Sequence, residues 1–319
     1  MKLRKIINLV RNENMKLAHH TSTWVMMGIM VLLIVIAGLV TRFAVPQAPA
    51  SDWKADITTE DQFIKQTIAK PETPKIQKDA YAKQLQTNEY RLKHDVQPIQ
   101  SNSLWGFVEG ISSNFISLIA LFAIVMGGGI VANEFSGGTI KLLLIRPSQR
   151  WKILLSKYIA VIEHIILMLL ILLMVSFILG GILFSFKGAG TSFLTNSGGV
   201  ITEINMISHI LQLYGLESIN LLMMVTLSFM ISTVFRNSAM AIGIGVFLLT
   251  VGNVITMLVS RFDWSKYILF ANTDLNQYIS GEPLVKGMTM TFSITVLVVY
   301  FIIFNAISYI GFTKRDIVA

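Results

Sequence analysis

Apolar residues dominate six stretches of the chain, at residues 24–43, 111–132, 158–186, 218–235, 239–260 and 288–312. Each is roughly 18 residues or longer, the length an α-helix needs to cross the hydrocarbon of a bilayer at 1.5 Å per residue. The runs are continuous and lack the two-residue alternation of an outer-membrane barrel strand, so they predict helices. With flanking residues, the expected spans are 23–45, 111–132, 158–186, 207–235, 239–260 and 288–312. The fold class is therefore an all-α integral membrane protein with six transmembrane helices.

The first run also resembles a signal peptide, because Ala48-Pro49-Ala50 reads as a small-residue cleavage site. Its apolar core is longer than the 7–15 residues of a signal core, and the basic segment before it is too long for an ordinary n-region. An anchoring helix is expected.

Between the runs the pattern changes. In residues 2–18, Leu3, Ile6, Ile7, Val10 and Leu17 share one helical stripe with Lys2, Arg4, Lys5, Arg11 and Lys16 largely off it. This pattern predicts an interfacial helix over residues 1–22. Residues 46–110 form the one sizeable polar segment and read as two helices, 58–70 and 74–95, broken at 71–73. Pro74 suits a first helical position, and Thr59 with Gln62 forms a possible capping box. This hairpin has too few large apolar residues for its own core, so it is expected to lean on the spans or on a second copy. Residues 187–206 are a loop. Residues 261–287 mix Trp264 and Tyr267 with Asn272, Asp274 and Gly281, the composition of a re-entrant or surface-lying element or of a plain loop.

Charge then orients the spans. With the N-terminus inside, residues 1–23, 133–157, 236–238 and 313–319 are cytoplasmic and carry 13 Lys/Arg against 3 acidic residues. The opposite side holds 13 of each, leaving Glu163 and Glu217 within the runs. Short loops thus obey the positive-inside rule, and the exterior lysines lie mostly in one long loop, where the rule has little force. Trp24, Trp105, Trp151 and Trp264 fall near membrane boundaries, as interfacial tryptophans do. The net charge of +8 is a topology signal and does not require nucleic acid. A composition 53% hydrophobic and 14% charged, with mean hydropathy +0.64, agrees with a multi-pass protein of a cell membrane.

Chemistry is sparse. Cysteine is absent, which excludes disulfides and thiolate metal sites. There is no G-x-x-x-x-G-K-[ST] phosphate cradle and no H-E-x-x-H, and the five histidines are scattered. No catalytic residue, cofactor or metal ligand is expected in this chain. Glu163 and Glu217, by their distance from the span ends, belong near opposite interfaces as solvated or headgroup-paired carboxylates, with a gating or substrate role as the other reading. Gly127, Gly128, Gly129, Gly243 and Gly245 are expected to serve close helix approach.

The largest cytoplasmic loop, 133–157, has specific punctuation. Ser136-Gly137-Gly138 is a turn; Thr139 to Ile145 make two helical turns that Pro147 stops; Ser148 caps the helix running through Arg150 and Lys157 into the third span. The short helix would expose Ile140, Leu142, Leu143, Leu144 and Ile145 unless a partner covers them. Glu134, Gly138, Thr139, Leu143, Leu144, Pro147, Arg150 and Lys157 resemble the signature between the second and third spans of the type-two ABC exporter permeases. The basic N-terminal helix, the large loop after the first span, the turn at 232–245 and "WSKYILF" before the last span extend the likeness over most of the chain. Gln149 departs from it, since a small residue often precedes that arginine.

The resemblance implies a coupling helix docked on a separate ATP-binding subunit that holds ATP and magnesium. It also implies a second permease copy or homologous permease, and export of a peptide, lipid or hydrophobic drug-like substrate. The other reading is a non-transporting membrane sensor or assembly protein that binds a ligand with its extracytoplasmic loop. No feature of the sequence marks a substrate-binding residue.

Overall fold

A computed structural model describes residues 2–44, 52–72, 75–139, 149–186, 192–197, 200–279, 283–285 and 287–314. Six of its helices are long and apolar enough to cross a membrane. In chain order the helices are α1 (Lys2–His19), α2 (Thr21–Phe43), α3 (Trp53–Ala69), α4 (Lys75–His94), α5 (Leu104–Ser136), α6 (Arg150–Phe184), α7 (Met206–Phe235), α8 (Ser238–Val259), α9 (Leu269–Thr273) and α10 (Met290–Thr313). The spanning helices are α2, α5, α6, α7, α8 and α10.

The centre of the bundle is the pair α5 and α7. In their most apolar windows 67% and 61% of residues are buried, against 17% in both α8 and α10. Small residues explain the closeness. A Cβ on Gly127 would stand 3.2 Å from the Val225 carbonyl, and one on Gly128 would stand 3.0 Å from Ser228 Oγ. The serines of α7 use the space: Ser228 Oγ donates to the Ile124 carbonyl at 2.7 Å, and Ser232 Oγ donates to the Gly128 carbonyl at 2.7 Å. Ser232 Oγ also accepts from the Ala132 N–H at 3.0 Å, so one hydroxyl bridges a helical turn of α5. Hydroxyls aimed at a neighbouring backbone hold helices together where apolar contact alone does not discriminate protein from lipid.

The other glycines divide. Gly245 packs on Ile124, whose Cγ2 would lie 2.5 Å from an added Cβ. Gly243 faces open space, and a Cβ on Gly129 would meet only Asn133 of its own helix, so neither serves close approach between helices. In α2, Met26, Met30, Ile34 and Gly38 recur every four residues on the buried face, while Trp24, Ile29, Leu32, Ile36 and Leu39 stay exposed. That division is the one expected of a span with protein on one side and lipid on the other.

Helix α5 has 33 residues and α6 has 35, about 50 Å each at 1.5 Å per residue, so both project beyond the hydrocarbon. The connection between them is accordingly shorter than 133–157: α5 continues to Ser136 and α6 begins at Arg150.

At the end of the bundle away from α1, α3 and α4 form the expected hairpin, with Ile57 and Ile64 buried and Asn88 Nδ2 donating to Asp61 at 2.7 Å. Helix α3 starts earlier than expected, at Trp53, because Asp52 caps it through the Lys54 N–H. Thr59 is therefore no cap; it lies inside the helix and its hydroxyl donates to the Ala55 carbonyl. The all-α expectation also needs one amendment. Strands β1 (Ser192–Ser197) and β2 (Val200–Asn205) pair antiparallel, Ser197 opposite Val200, with Thr195 and Thr202 joined across the strands at 2.7 Å. The helical hairpin leans on this ribbon: Tyr90 OH donates to Glu203 and Asn196 Nδ2 donates to the Lys83 carbonyl at 3.2 Å. His209 fixes the ribbon to α7 by stacking on Phe193 at 3.6 Å, and it ties α7 to α5 by meeting Glu109 at 3.2 Å.

Residues 261–279 fold back on the bundle as short turns around α9, with Leu269, Asn272, Leu275 and Gln277 buried. The amides account for a polar segment being packed here. Asn272 Nδ2 donates to the carbonyls of Lys266 and Ile268 at 2.8 Å, and its Oδ1 accepts from Ser293 Oγ at 2.7 Å. Buried backbone carbonyls that no regular helix satisfies find partners in these side chains.

Candidate functional site

The N-terminal end of the bundle concentrates charge at one corner. Helix α1 lies along the first turns of α6, and the α1–α2 corner is closed by Trp24 Nε1 donating to the Ala18 carbonyl at 2.7 Å. Helix α1 thereby delivers Glu13 and Lys16 to the place where α5 ends with Glu134 and α6 rises with Lys157. Lys157 is 1% exposed; its ammonium lies 2.9 Å from Glu13 Oε2 and 2.8 Å from Glu134 Oε1. Lys16 closes the ring, 3.0 Å from Glu13 Oε1 and 3.1 Å from Glu134 Oε1. Thr139 donates from its hydroxyl to the other Glu134 oxygen.

Two cations and two carboxylates leave the corner neutral. That balance makes the burial tolerable, since an unpaired ion taken from water costs several kcal/mol. Burial alone would lower the Lys16 pKa, but the Glu13 and Glu134 carboxylates outweigh it and hold the ammonium above the ordinary lysine value. A cavity of about 510 Å³ opens beside the cluster, lined by Glu134, Lys157, Asn133, His20, Met126 and Ile242 among others.

The residues that carry the family resemblance are placed as follows. Glu134, Thr139 and Lys157 are in direct contact. Gly138 follows the C-cap Gly137 of α5 at φ +69°, a left-handed conformation that costs glycine nothing and a side chain about 1 kcal/mol or more. Arg150 does not join the cluster; its guanidinium reaches the Thr313 carbonyl at 3.4 Å, linking α6 to the end of the last span. Leu143, Leu144 and Pro147, with the short helix expected at 139–145 and the cap expected of Ser148, lie outside the described residues. Also at this end, the Arg236 guanidinium sits 4.6 Å over the Phe135 ring, and Phe135 stands edge-on to Phe312.

Glu13 and Lys16 are the members that sequence reasoning missed. A signal was present: Glu13 is the only acidic residue among residues 1–51, and a lone carboxylate in a basic helix calls for a partner. Glu163 is exposed and accepts from Asn14 Nδ2, a second tie between α6 and α1. Glu217 is half-buried. Its oxygens accept from Asn276 Nδ2 at 2.7 Å and Asn220 Nδ2 at 3.2 Å, at the other end of the molecule. Among the described residues no group of three or more His, Asp or Glu is placed to hold a metal.

The family described as "Protein of unknown function (DUF2705)" matches residues 78–318. The "Uncharacterized protein YhcI" of Bacillus subtilis (strain 168) is 44% identical over 316 residues, covering 98% of this chain and 99% of that protein. The "Uncharacterized membrane protein YdbK" of the same organism is 34% identical over 203 residues, covering 63% of this chain and 78% of that protein.

Proposed function

The chain belongs to the DUF2705 family of proteins of unknown function, and on that premise we propose that it is the membrane-spanning permease subunit of an ATP-binding-cassette exporter. It forms the pathway for a peptide, lipid or hydrophobic drug-like substrate. A separate subunit supplies ATP hydrolysis with its magnesium, and a second permease copy or homologous permease completes the pathway. The N-terminus, residues 133–157 and the C-terminus face the cytoplasm.

The observation that carries this reading is the corner where Glu134, Thr139 and Lys157 meet Glu13 and Lys16. A loop that transmits a push from a partner must not yield at its ends. Here the near end of the connection is bonded to the stem of α6, and both are bonded to α1. A displacement of residues 140–148 is then delivered to two spanning helices and the N-terminal helix together. Buried charge pairs suit this work, because their geometry is directional and breaking one costs about 3–5 kcal/mol.

The test is Leu143→Asp. Seating a carboxylate in an apolar groove of the partner costs on the order of several kcal/mol of lost hydration, while insertion of the six spans depends on apolar length and flanking charge. Expected is normal membrane abundance with loss of an ATP-binding-cassette subunit from the purified complex, the partner being identified by the phosphate-cradle motif this chain lacks. Retention of that subunit and of transport by the variant would sink the proposal. Purification of the unaltered chain without any such subunit would favour the membrane sensor.

A further inference from the structure

We propose that the cavity between α5, α7, α8 and α9 binds a freely diffusing amphiphilic organic cation, a hydrophobic body bearing one ammonium or similar positive group. The proposal rests on the permease reading for its meaning as a substrate site, but not for its test. The cavity is about 470 Å³ and opens toward the end of the bundle away from α1. Its walls are apolar at Leu121, Met224, Leu249 and Phe270, while Asn220, Asn253 and Asp274 supply polar groups.

Two features select the ligand class. The first is Asn253, an exposed amide on a spanning helix, which makes no hydrogen bond among the described residues. A side chain of that kind facing hydrocarbon is costly, so its place in a span points to a polar occupant. The second is the sign of the charge. Asp274 lines the cavity and stands exposed, its Oδ1 accepting the Asn276 N–H at 3.0 Å. Glu217 stands behind it, its carboxylate held by Asn220 and Asn276. Among the described residues no Lys, Arg or His lines the cavity. A cation with an apolar body meets the Asp274 carboxylate, the amide oxygens and the apolar walls; an anion finds amide and hydroxyl donors but no cationic side chain among the described residues, and is repelled by Asp274. The size is within the 300–1,000 Å³ of small-molecule sites.

The experiment uses the purified full chain in detergent and rhodamine 6G, a hydrophobic monocation, followed by fluorescence polarisation. Fluorescein, an anion of similar size, is the charge control. Saturable binding of rhodamine 6G and none of fluorescein is expected. Asp274→Asn, which keeps an oxygen for the Asn276 N–H, should weaken binding roughly fivefold, the effect of one partly solvated ion pair. Asn253→Leu, at an exposed position that folding does not need, should weaken it as well. Asp56→Asn, on α3, should leave it unchanged.

Equal binding of both dyes, or an Asp274→Asn variant that binds as tightly as the unaltered chain, would overturn the proposal. So would full competition by phosphatidylethanolamine in mixed micelles, which would make the occupant a lipid headgroup. The assay contains no ATPase subunit, so it is read separately from the copurification experiment: cation binding with failed copurification would leave the site standing and remove the permease reading, and copurification without cation binding would do the opposite.

Discussion

Lys157 is the residue on which the corner of α1, α5 and α6 turns, because it is the most buried charge among the described residues and touches both carboxylates. Lys157→Met removes the buried ammonium and leaves Glu13 and Glu134 with only the part-exposed Lys16 between them, a loss expected to cost about 3–5 kcal/mol. Lys16→Met removes a cation that is 43% exposed, and should cost about 1 kcal/mol or less. Thermal unfolding in detergent checks this order: Lys157→Met is expected well below the unaltered chain and Lys16→Met close to it, and equal midpoints would refute the ranking. The raised pKa of Lys16 fixes a sign as well. Its stabilising contribution is complete below the ordinary lysine value of 10.5 and is lost only as pH rises through the higher folded value. Stability should therefore be flat through neutral pH on its account and fall in strong alkali. Three of the five residues of this corner were legible in the sequence, where the resemblance marked Glu134, Thr139 and Lys157. Glu13 and Lys16 were not, because charge counting treats each as one more residue on a polar face and cannot see that α1 folds back along α6.

At the scale of elements, the glycines separate packing from coincidence. Gly245→Ala would drive a Cβ to 2.5 Å from Cγ2 of Ile124, a β-branched side chain that is 1% exposed and has little room to turn. The expected cost is about 1–3 kcal/mol. Gly243→Ala meets nothing within 4 Å and gains helix propensity of up to about 1 kcal/mol, so it should unfold at the same temperature or higher. A pair of melting curves decides, and destabilisation by Gly243→Ala would show that this face of α8 is covered by something the single chain lacks. Periodicity found the six spans because continuous apolar length is the strongest signal a chain can carry. It missed the ribbon of β1 and β2, although Gly198-Gly199 ahead of Val200-Ile201-Thr202 is a two-residue hairpin signal. It also left residues 261–287 undecided, since their fold rests on Asn272 and Gln277 bonding to backbone carbonyls, which hydropathy scores only as polarity.

For the whole molecule, the charge distribution predicts which end faces inward. The end that gathers α1, the start of α6 and Arg236 carries most of the short-loop Lys and Arg, and these residues are retained on the cytoplasmic side during insertion. The far end holds α3, α4 and the ribbon, where basic and acidic residues balance. The chain has no cysteine, so a single introduced thiol reports its own side. Ser136 at the end of α5 and Gln86 on α4 are both exposed and lie at opposite ends of the bundle. In intact cells a membrane-impermeant maleimide should label the Gln86→Cys variant and spare Ser136→Cys, and in inverted vesicles the pattern should exchange. Labelling of Ser136→Cys in intact cells with Gln86→Cys spared would turn the molecule over. It would place the Glu134–Lys157 corner outside, out of reach of any ATP-hydrolysing partner, and the exporter reading would fall with it.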